Sequence, residues 1–398
     1  MSKNVEALVN PALLIWARGC SGLSIEEAAK KVPVKPDRLE SWERGQLRPT
    51  INQMRKLSNI YKRPMAVFYL PEPPADFLPI RDFRRLPGKI PNPESPQLLL
   101  EVRRARERQD VALELYLELE GKLPTFLHRA NLSEEPEGLA NRLRSFLSVK
   151  VEDQINLANN YEAFNLWRNA LENVGVLVFQ AIGIETAEMR GFSISDTPLP
   201  AVVVNIKDSP KGRIFTMLHE FVHIMLQEGG LCDLKEEAQS PPEEQRAEVF
   251  CNHVAGAILL PKDLLLQEGF VREKSGATEW SDEEIAELAV KFRVSRHTLL
   301  RRLLIFNRIP KDFYQRKHLE LEQEYEQFKQ RQRQREGFAP PYRMAISSAG
   351  PMFIRLALNS YHQEKITASD LSDFLNIKLK HMKRIEHEIM GRSRRIER

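Results

Sequence analysis

Three polar residues in the segment LHEFVHIML have the spacing needed to bind one metal ion. His219 and His223 stand four residues apart, so on a helix both imidazoles lie on the same face. Glu220 directly follows the first histidine and can hold a water molecule on that metal. This HExxH arrangement is typical of zinc peptidases. There the metal lowers the pKa of the water and polarises the scissile carbonyl, while the glutamate transfers a proton to the leaving amine.

The residues around these three predict a buried helix. They are almost all apolar: Phe215, Met217, Leu218, Phe221, Val222, Ile224, Met225 and Leu226. Because buried polar groups need partners, two histidines and a glutamate on such a helix favour a metal site. The alternative is that both histidines are ordinary hydrogen-bonded core residues.

A catalytic zinc needs three protein ligands and a water molecule. Position 229 is Gly229, so no histidine follows His223 at six residues. A carboxylate from a later helix is the other solution. Glu248 lies 25 residues beyond His223, on a predicted apolar helix that ends before Pro261, and we predict it as the third ligand.

Three other residues of this second helix are alternatives to Glu248. They are Glu244, Cys251 and His253. Cys251 shares a helix face with Glu248, but we expect it to be a small core residue. We expect His253 to point elsewhere.

The chain contains the motifs VLVF, GFSI, VVVN, RIFTMLHEFVHIML and E-x-x-C-N-x-x-A-x-x-x-L-L-P. Over about residues 160–265 these motifs resemble the ImmA/IrrE family of metallopeptidases. The resemblance implies an α+β zincin-like core with His219, His223 and Glu248 as zinc ligands and Glu220 as general base. Two histidines and a carboxylate also accept manganese.

The sequence around the HExxH segment predicts a small sheet in a mostly helical chain. Residues 175–180 (GVLVFQ) and 201–206 (AVVVNI) are short β-branched runs between turn residues, and residues 191–195 (GFSIS) form a third candidate strand. After residue 211 the pattern is helical. The predicted fold is therefore mostly α with a small β-sheet.

The N-terminal segment is basic, and its pattern predicts several short helices in succession. Residues 1–70 hold 12 Lys and Arg against 6 Asp and Glu, which points to nucleic acid, with a solvated basic surface as the alternative. Ser24 and Glu27 have the spacing of a capping box at the start of the second helix.

The run SIEEAAKKVPVKPDRLESWERGQLRPT is similar to the helix-turn-helix of the XRE (Cro/repressor-like) family. The resemblance implies that the second helix enters the major groove of DNA, with Lys35, Arg38 and Ser41 as candidate contacts. Two acidic residues, Asp37 and Glu40, lie on that face and would repel DNA phosphates. The alternative is therefore that the helix docks a protein partner.

We predict five regions along the chain. These are a helix-turn-helix domain at 1–70, a proline-rich linker and helical connector at 71–135, and a metallopeptidase core at 136–265. A helical module that is helix-turn-helix-like and presents substrate follows at 266–315, then a charged helix and helical ending at 316–398. Residues 366–388 repeat the helix-turn-helix-like pattern and include a run of positive charge.

Composition restricts the class of protein. The 398 residues carry a net charge of +4 and three widely spaced cysteines, and no apolar run approaches the length of a membrane helix. The N-terminus lacks the layout of a signal peptide. We therefore expect a cytoplasmic protein without a disulfide framework or membrane partner. Since helix-turn-helix proteins often pair on two half-sites, a homodimer is a further expectation.

Together these features predict a zinc-dependent endopeptidase. The family resemblance implies a protein substrate, a helix-turn-helix repressor or similar regulator, whose cleavage releases stress, phage or mobile-element genes. The alternative is a DNA-binding transcriptional regulator or antitoxin-like protein in which the peptidase fold is a sensor or scaffold without turnover.

Overall fold

The computed structural model describes residues 5–74, 95–123, 126, 128–227, 231–232, 242–274, 279–333 and 340–396. The chain divides into two compact units. The first comprises residues 1–80 and 88–104, and the second comprises residues 81–87 and 105–398.

The first unit is built from short helices. They are α1 (Pro11–Gly19), α2 (Ile25–Lys31), α3 (Pro36–Glu43), α4 (Ile51–Tyr61) and a 3₁₀ helix at Met65–Tyr69. The capping box predicted for Ser24 and Glu27 is present at the start of α2, and Thr50 begins α4 in the same way. Leu39 and Trp42 of α3 are buried in the core of this unit.

Helix α5 (Pro96–Glu120) includes residues of both units. The helices that follow before the sheet and around the HExxH segment are α6 (Pro136–Phe146), α7 (Val151–Ile155), α8 (Asn160–Asn173), α9 (Pro210–Leu226) and α10 (Pro242–Leu259). The later helices are α11 (Lys262–Leu266), α12 (Gly269–Glu273), α13 (Asp282–Lys291), α14 (Arg296–Ile305), α15 (Lys311–Arg333), α16 (Pro341–Ala349), α17 (Pro351–His362), α18 (Ala368–Phe374), a 3₁₀ turn at Leu379–His381 and α19 (Met382–Ile396). Among the described residues, none of the helices is both long and apolar enough to cross a membrane.

The sheet lies in the second unit and has the order β1-β3-β2-β4. Its strands are β1 (Leu177–Ala181), β2 (Gly191–Ile194), β3 (Ala201–Asn205) and the two-residue β4 (Leu231–Cys232). Strand β3 runs parallel to β1, and β2 is antiparallel to β3 and β4. Every residue of β1, β2 and β3 is buried, as expected of strands covered on both faces.

The three predicted strands end within one residue of their expected ends, and the sheet differs from the prediction more clearly at the start of β1 and in its fourth strand. Strand β1 begins at Leu177, two residues later than expected, because Gly175 has a φ of 88° and belongs to the turn after α8. Strand β4 was not predicted, since two residues are too few to show an alternating pattern.

Buried side chains hold the C-terminal end of α10. The last carbonyls of a helix have no partner within the helix. Here three consecutive carbonyls accept hydrogen bonds from other elements of the unit. Arg144, Gln154 and Arg302 donate to the carbonyl oxygens of Ile258, Leu259 and Leu260 at 2.5, 3.0 and 3.0 Å. These contacts fix the position of α10 along its axis.

Arg302 also anchors α6. Its guanidinium donates two hydrogen bonds to the Glu137 carboxylate, at 2.5 and 2.7 Å, and the His253 ring lies 2.7 Å from the same carboxylate. Burial alone would raise the pKa of Glu137, but the hydrogen bonds from Arg302 and His253 lower it to about 2.

This ion pair makes stability depend on pH in the acid range. The pKa of Glu137 is about 2 in the folded chain against an ordinary value of 4.5. Its contribution to the free energy of unfolding is therefore complete above the ordinary value and is lost as the pH falls toward the folded value. We expect Glu137→Gln to lower the urea midpoint at neutral pH, and the difference from the wild type to shrink between about pH 5 and about pH 3.

Tryptophan fluorescence in urea measures these midpoints. The exposed Glu287 provides the control, and Glu287→Gln should follow the wild type throughout. A Glu137→Gln deficit that stays constant down to pH 3 would contradict the ion-pair account.

Candidate metal centre

Helix α9 carries the HExxH residues through the core of the second unit. Ser209 caps its N-terminus by accepting a hydrogen bond from the backbone N–H of Gly212, and Pro210 stands at its first turn. The helix has 17 residues and ends at Gln227, whose φ of 59° is left-handed. His219, Glu220 and His223 are each at most 1 % exposed, so the helix is buried as its composition predicts.

Glu248 of α10 meets both histidines of α9. Its Oε2 lies 3.2 Å from the His219 Nε2, and its Oε1 lies 3.2 Å from the His223 Nε2. The two Nε2 atoms are 3.1 Å apart. The three side chains thus turn their donor atoms toward one point, with all of these atoms within 4.8 Å of one another.

The chemistry of this donor set fits a divalent cation. Two imidazole nitrogens and a carboxylate form a common ligand set for catalytic zinc. Among the described residues, no hydrogen-bond donor other than the two imidazoles faces either Glu248 oxygen, and His219 Nδ1 has no partner. Burial lowers the pKa of His219, which favours the neutral imidazole that a metal ligand must provide.

Neither Cys251 nor His253 belongs to the group of ligand atoms formed by His219, His223 and Glu248. Cys251 is fully buried, and burial raises the pKa of its thiol, which favours the protonated form and a core role. His253 contacts Glu137 instead. The side chain of Glu244 lies outside the described residues.

Glu220 extends toward the sheet. Its Oε2 accepts a hydrogen bond of 2.9 Å from the hydroxyl of Ser193 on β2. Both groups are buried, so the bond fixes the orientation of the carboxylate. Ser193 was not among the predicted site residues. The available signal was its position two residues after Gly191 in a predicted strand, which puts both on one face of that strand.

Gly191 allows β2 to lie against α9. A Cβ atom at this position would lie 2.4 Å from the Thr216 side chain, 3.0 Å from the Val203 carbonyl oxygen and 3.4 Å from the Glu220 side chain. Only a residue without a side chain permits this approach. The same approach brings Ser193 within reach of Glu220.

We expect Gly191→Ala to displace β2 from α9. The added methyl group overpacks a buried contact, which should cost about 1–3 kcal/mol of the free energy of unfolding. Thermal unfolding measures the loss. Gly269→Ala is the matched control, because nothing lies within 4 Å of a Cβ there and alanine favours helix. Equal stability of the two variants would show that β2 tolerates the methyl group.

The candidate DNA contacts lie on or next to α3 in the first unit. Lys35 is the exposed N-cap residue of α3, and Arg38 is exposed with its guanidinium 6.0 Å from the Trp42 ring centroid. The Ser41 hydroxyl donates a 2.7 Å hydrogen bond to the carbonyl of Asp37. Glu40, predicted to place negative charge on this face, forms an ion pair with Arg44.

Two protein families match the chain. Residues 171–304 match the IrrE N-terminal-like domain of the M78 peptidases, and residues 16–68 match a helix-turn-helix. No curated protein matches. The first match contains His219, Glu220, His223 and Glu248.

The chain therefore carries an XRE-type helix-turn-helix at its N-terminus and an ImmA/IrrE-like peptidase domain after it. This confirms the resemblance stated from the sequence and the predicted mostly helical fold with a small sheet. The two domains support a peptidase function together with DNA binding.

Proposed function

We propose that the chain is a zinc-dependent endopeptidase. In this proposal His219, His223 and Glu248 hold the metal, with manganese as an alternative ion, and Glu220 is the general base. The observation that carries the proposal is the convergence of two imidazoles and a carboxylate within 4.8 Å in a buried site. Such an arrangement is costly to bury unless a cation satisfies it.

The chemistry of peptide hydrolysis follows from these residues. A divalent ion held there would polarise the scissile carbonyl and lower the pKa of water. The Glu220 carboxylate, oriented by Ser193, takes a proton from the attacking water. It then delivers this proton to the amine nitrogen as the carbon–nitrogen bond breaks.

Strand β2 offers a place for the substrate backbone. It pairs with β4 at Gly191 and Phe192, and no described strand pairs with Ser193 and Ile194 on that side. An extended peptide can add to a sheet edge through main-chain hydrogen bonds. Added beside Ser193, it would lie next to the residue that contacts Glu220.

The helix-turn-helix domain supports a protein substrate that itself binds DNA. A peptidase that binds DNA meets regulators bound to the same DNA at high local concentration. The proposed substrate is therefore a helix-turn-helix repressor or a similar regulator. Its cleavage would release the genes that it controls, such as stress, phage or mobile-element genes.

We expect Glu220→Gln to abolish cleavage without loss of metal. The amide keeps the size of the side chain but cannot accept the proton. Glu248→Ala should lose both cleavage and metal, with affinity for zinc reduced on the order of 100-fold or more, since even groups that only support ligands contribute 10–100-fold. Elemental analysis of the purified chain gives the metal content, and gel electrophoresis of helix-turn-helix regulators encoded beside it gives the cleavage.

The exposed Glu287→Ala is the control and should retain both properties. Retention of zinc by Glu248→Ala would transfer the role of third ligand to Glu244 or Cys251. A zinc-loaded wild type that binds its operator tightly and cleaves no regulator would instead establish the chain as a transcription factor whose peptidase fold is a scaffold.

We further propose that Lys35, Arg38 and Ser41 contact DNA. The double variant Lys35→Ala/Arg38→Ala should weaken binding to duplex DNA from upstream of the coding sequence. Its slope of log affinity against log salt should decrease by about two, one for each lost phosphate contact. Fluorescence anisotropy measures both quantities. Arg55→Ala/Lys56→Ala removes two exposed charges of α4 and should leave affinity within about twofold; equal losses in both variants would count against α3 as the reading helix.

A further inference from the structure

The backbone of the C-terminal segment from Thr367 to Ile396 resembles that of the N-terminal helix-turn-helix in its helix caps, turn dihedral angles and backbone hydrogen bonds. Its first helix, α18, has seven residues, as α2 has. Both helices begin with a complete capping box, formed by Ser24 and Glu27 in one and by Thr367 and Asp370 in the other. The family match to a helix-turn-helix covers residues 16–68 only.

The turns after the two first helices are the same. Val32 ends α2 with φ and ψ of −84° and −2°, and Leu375 ends α18 with −87° and −5°. Two residues later the backbone N–H bonds back five residues in both segments. Val34 and Ile377 donate to the carbonyls of Ala29 and Ser372, each at 3.0 Å.

The second helices also start alike. Lys35 is the N-cap residue of α3, and Lys378 is the N-cap residue of the 3₁₀ turn that leads into α19. The carbonyl of each lysine accepts a 3.0 Å hydrogen bond from the N–H three residues on. Seven residues after each lysine stands a fully buried anchor, Trp42 in one segment and Ile385 in the other. The C-terminal segment therefore holds its second helix as the matched domain holds α3.

The start of this second helix is exposed and positively charged. Residues 378–384 (KLKHMKR) contain four Lys and Arg and no acidic residue. Lys378, Lys380, Lys383 and Arg384 are all exposed. In the described part of the chain none of the four pairs with a carboxylate, whereas Asp370 is engaged in its capping box and Glu386 contacts His362.

A third segment shows that the turn alone does not create such a face. Helices α13 and α14 join through the same backbone bond, from Val294 N–H to the Ala289 carbonyl at 3.0 Å. The second helix of that pair is packed into the core, with Leu299, Leu300, Arg302 and Leu303 each at most 1 % exposed. Helix α14 also begins with basic residues, but none of its arginines at 296, 301 and 302 is exposed. Exposure of the basic side chains therefore distinguishes the C-terminal segment from a helix pair that fills the core.

We propose that residues 367–396 form a second DNA-binding helix-turn-helix, whose partner is the phosphate backbone of duplex DNA. In such motifs the first residues of the second helix meet the duplex, and those are the residues that carry Lys378, Lys380 and Lys383. Phosphate neutralisation by lysine and arginine provides most of non-specific affinity. The face has no acidic residue of the kind that interrupts α3 at Asp37 and Glu40.

Fluorescence anisotropy of the full-length, metal-loaded chain on a labelled mixed-sequence duplex of about 30 base pairs tests the proposal. Lys380→Glu/Lys383→Glu should weaken binding at least tenfold near 0.1 M salt and reduce the salt slope by about two. It should do so both in the wild type and in the Lys35→Ala/Arg38→Ala background, which separates this face from α3. Lys380→Arg/Lys383→Arg should bind like the wild type.

The matched control reverses two other exposed lysines of the second unit, Lys122→Glu/Lys311→Glu, and should bind within twofold of the wild type. All four positions are exposed, so thermal unfolding should be unchanged. A Lys380→Glu/Lys383→Glu variant with the affinity of this control overturns the proposal. Loss of binding to a polyglutamate peptide with duplex affinity retained also overturns it, and assigns the face to an acidic protein.

Discussion

Burial of polar groups between α9 and α10 is the constraint on which the rest of the second unit depends. His219, His223 and Glu248 are withdrawn from water, so each must find its partner on the facing helix or in a shared cation. A shift of α10 by one residue, about 1.5 Å along its axis and 100° around it, would remove Glu248 from both rings. The site therefore requires a fixed register between the two helices.

The fixed register is supplied at the far end of α10. Ile258 lies ten residues beyond Glu248, about 15 Å along the helix, and its carbonyl accepts from Arg144, as those of the next two residues accept from Gln154 and Arg302. Because a buried carbonyl without a donor is costly, these bonds resist sliding of α10. On the other side of α9, Gly191 sets the distance to the sheet.

Features that depend on residues close together in the sequence could be predicted, whereas contacts between distant residues could not. The capping boxes, the spacing of His219 and His223 and the apolar faces of two helices depend on neighbouring residues, so they are readable in the sequence. Glu248 was predicted from its place on the second apolar helix and from the family resemblance, with Glu244, Cys251 and His253 as alternatives. Ser193 and Arg302 were not predicted as supports, since their partners stand 27 and 42 or more residues away and no local pattern encodes such pairs.

The same helix-turn backbone can lead either to a buried helix or to an exposed one. The motif alone therefore does not show whether its second helix binds a partner. The same capped helix and turn occur before α3, α14 and the basic helix α19, because a capping residue, a short helix and a buried apolar residue after the turn specify that backbone. The side chains of the second helix decide how the backbone is used. Leucines at 299, 300 and 303 draw α14 into the core, and Arg302 turns inward to Glu137. After the C-terminal turn, Met382, Lys383 and Glu386 stand at the positions of these three leucines, and none of them is buried. The turn thus determines the geometry, while the residues after it determine whether that geometry packs a core or meets a partner.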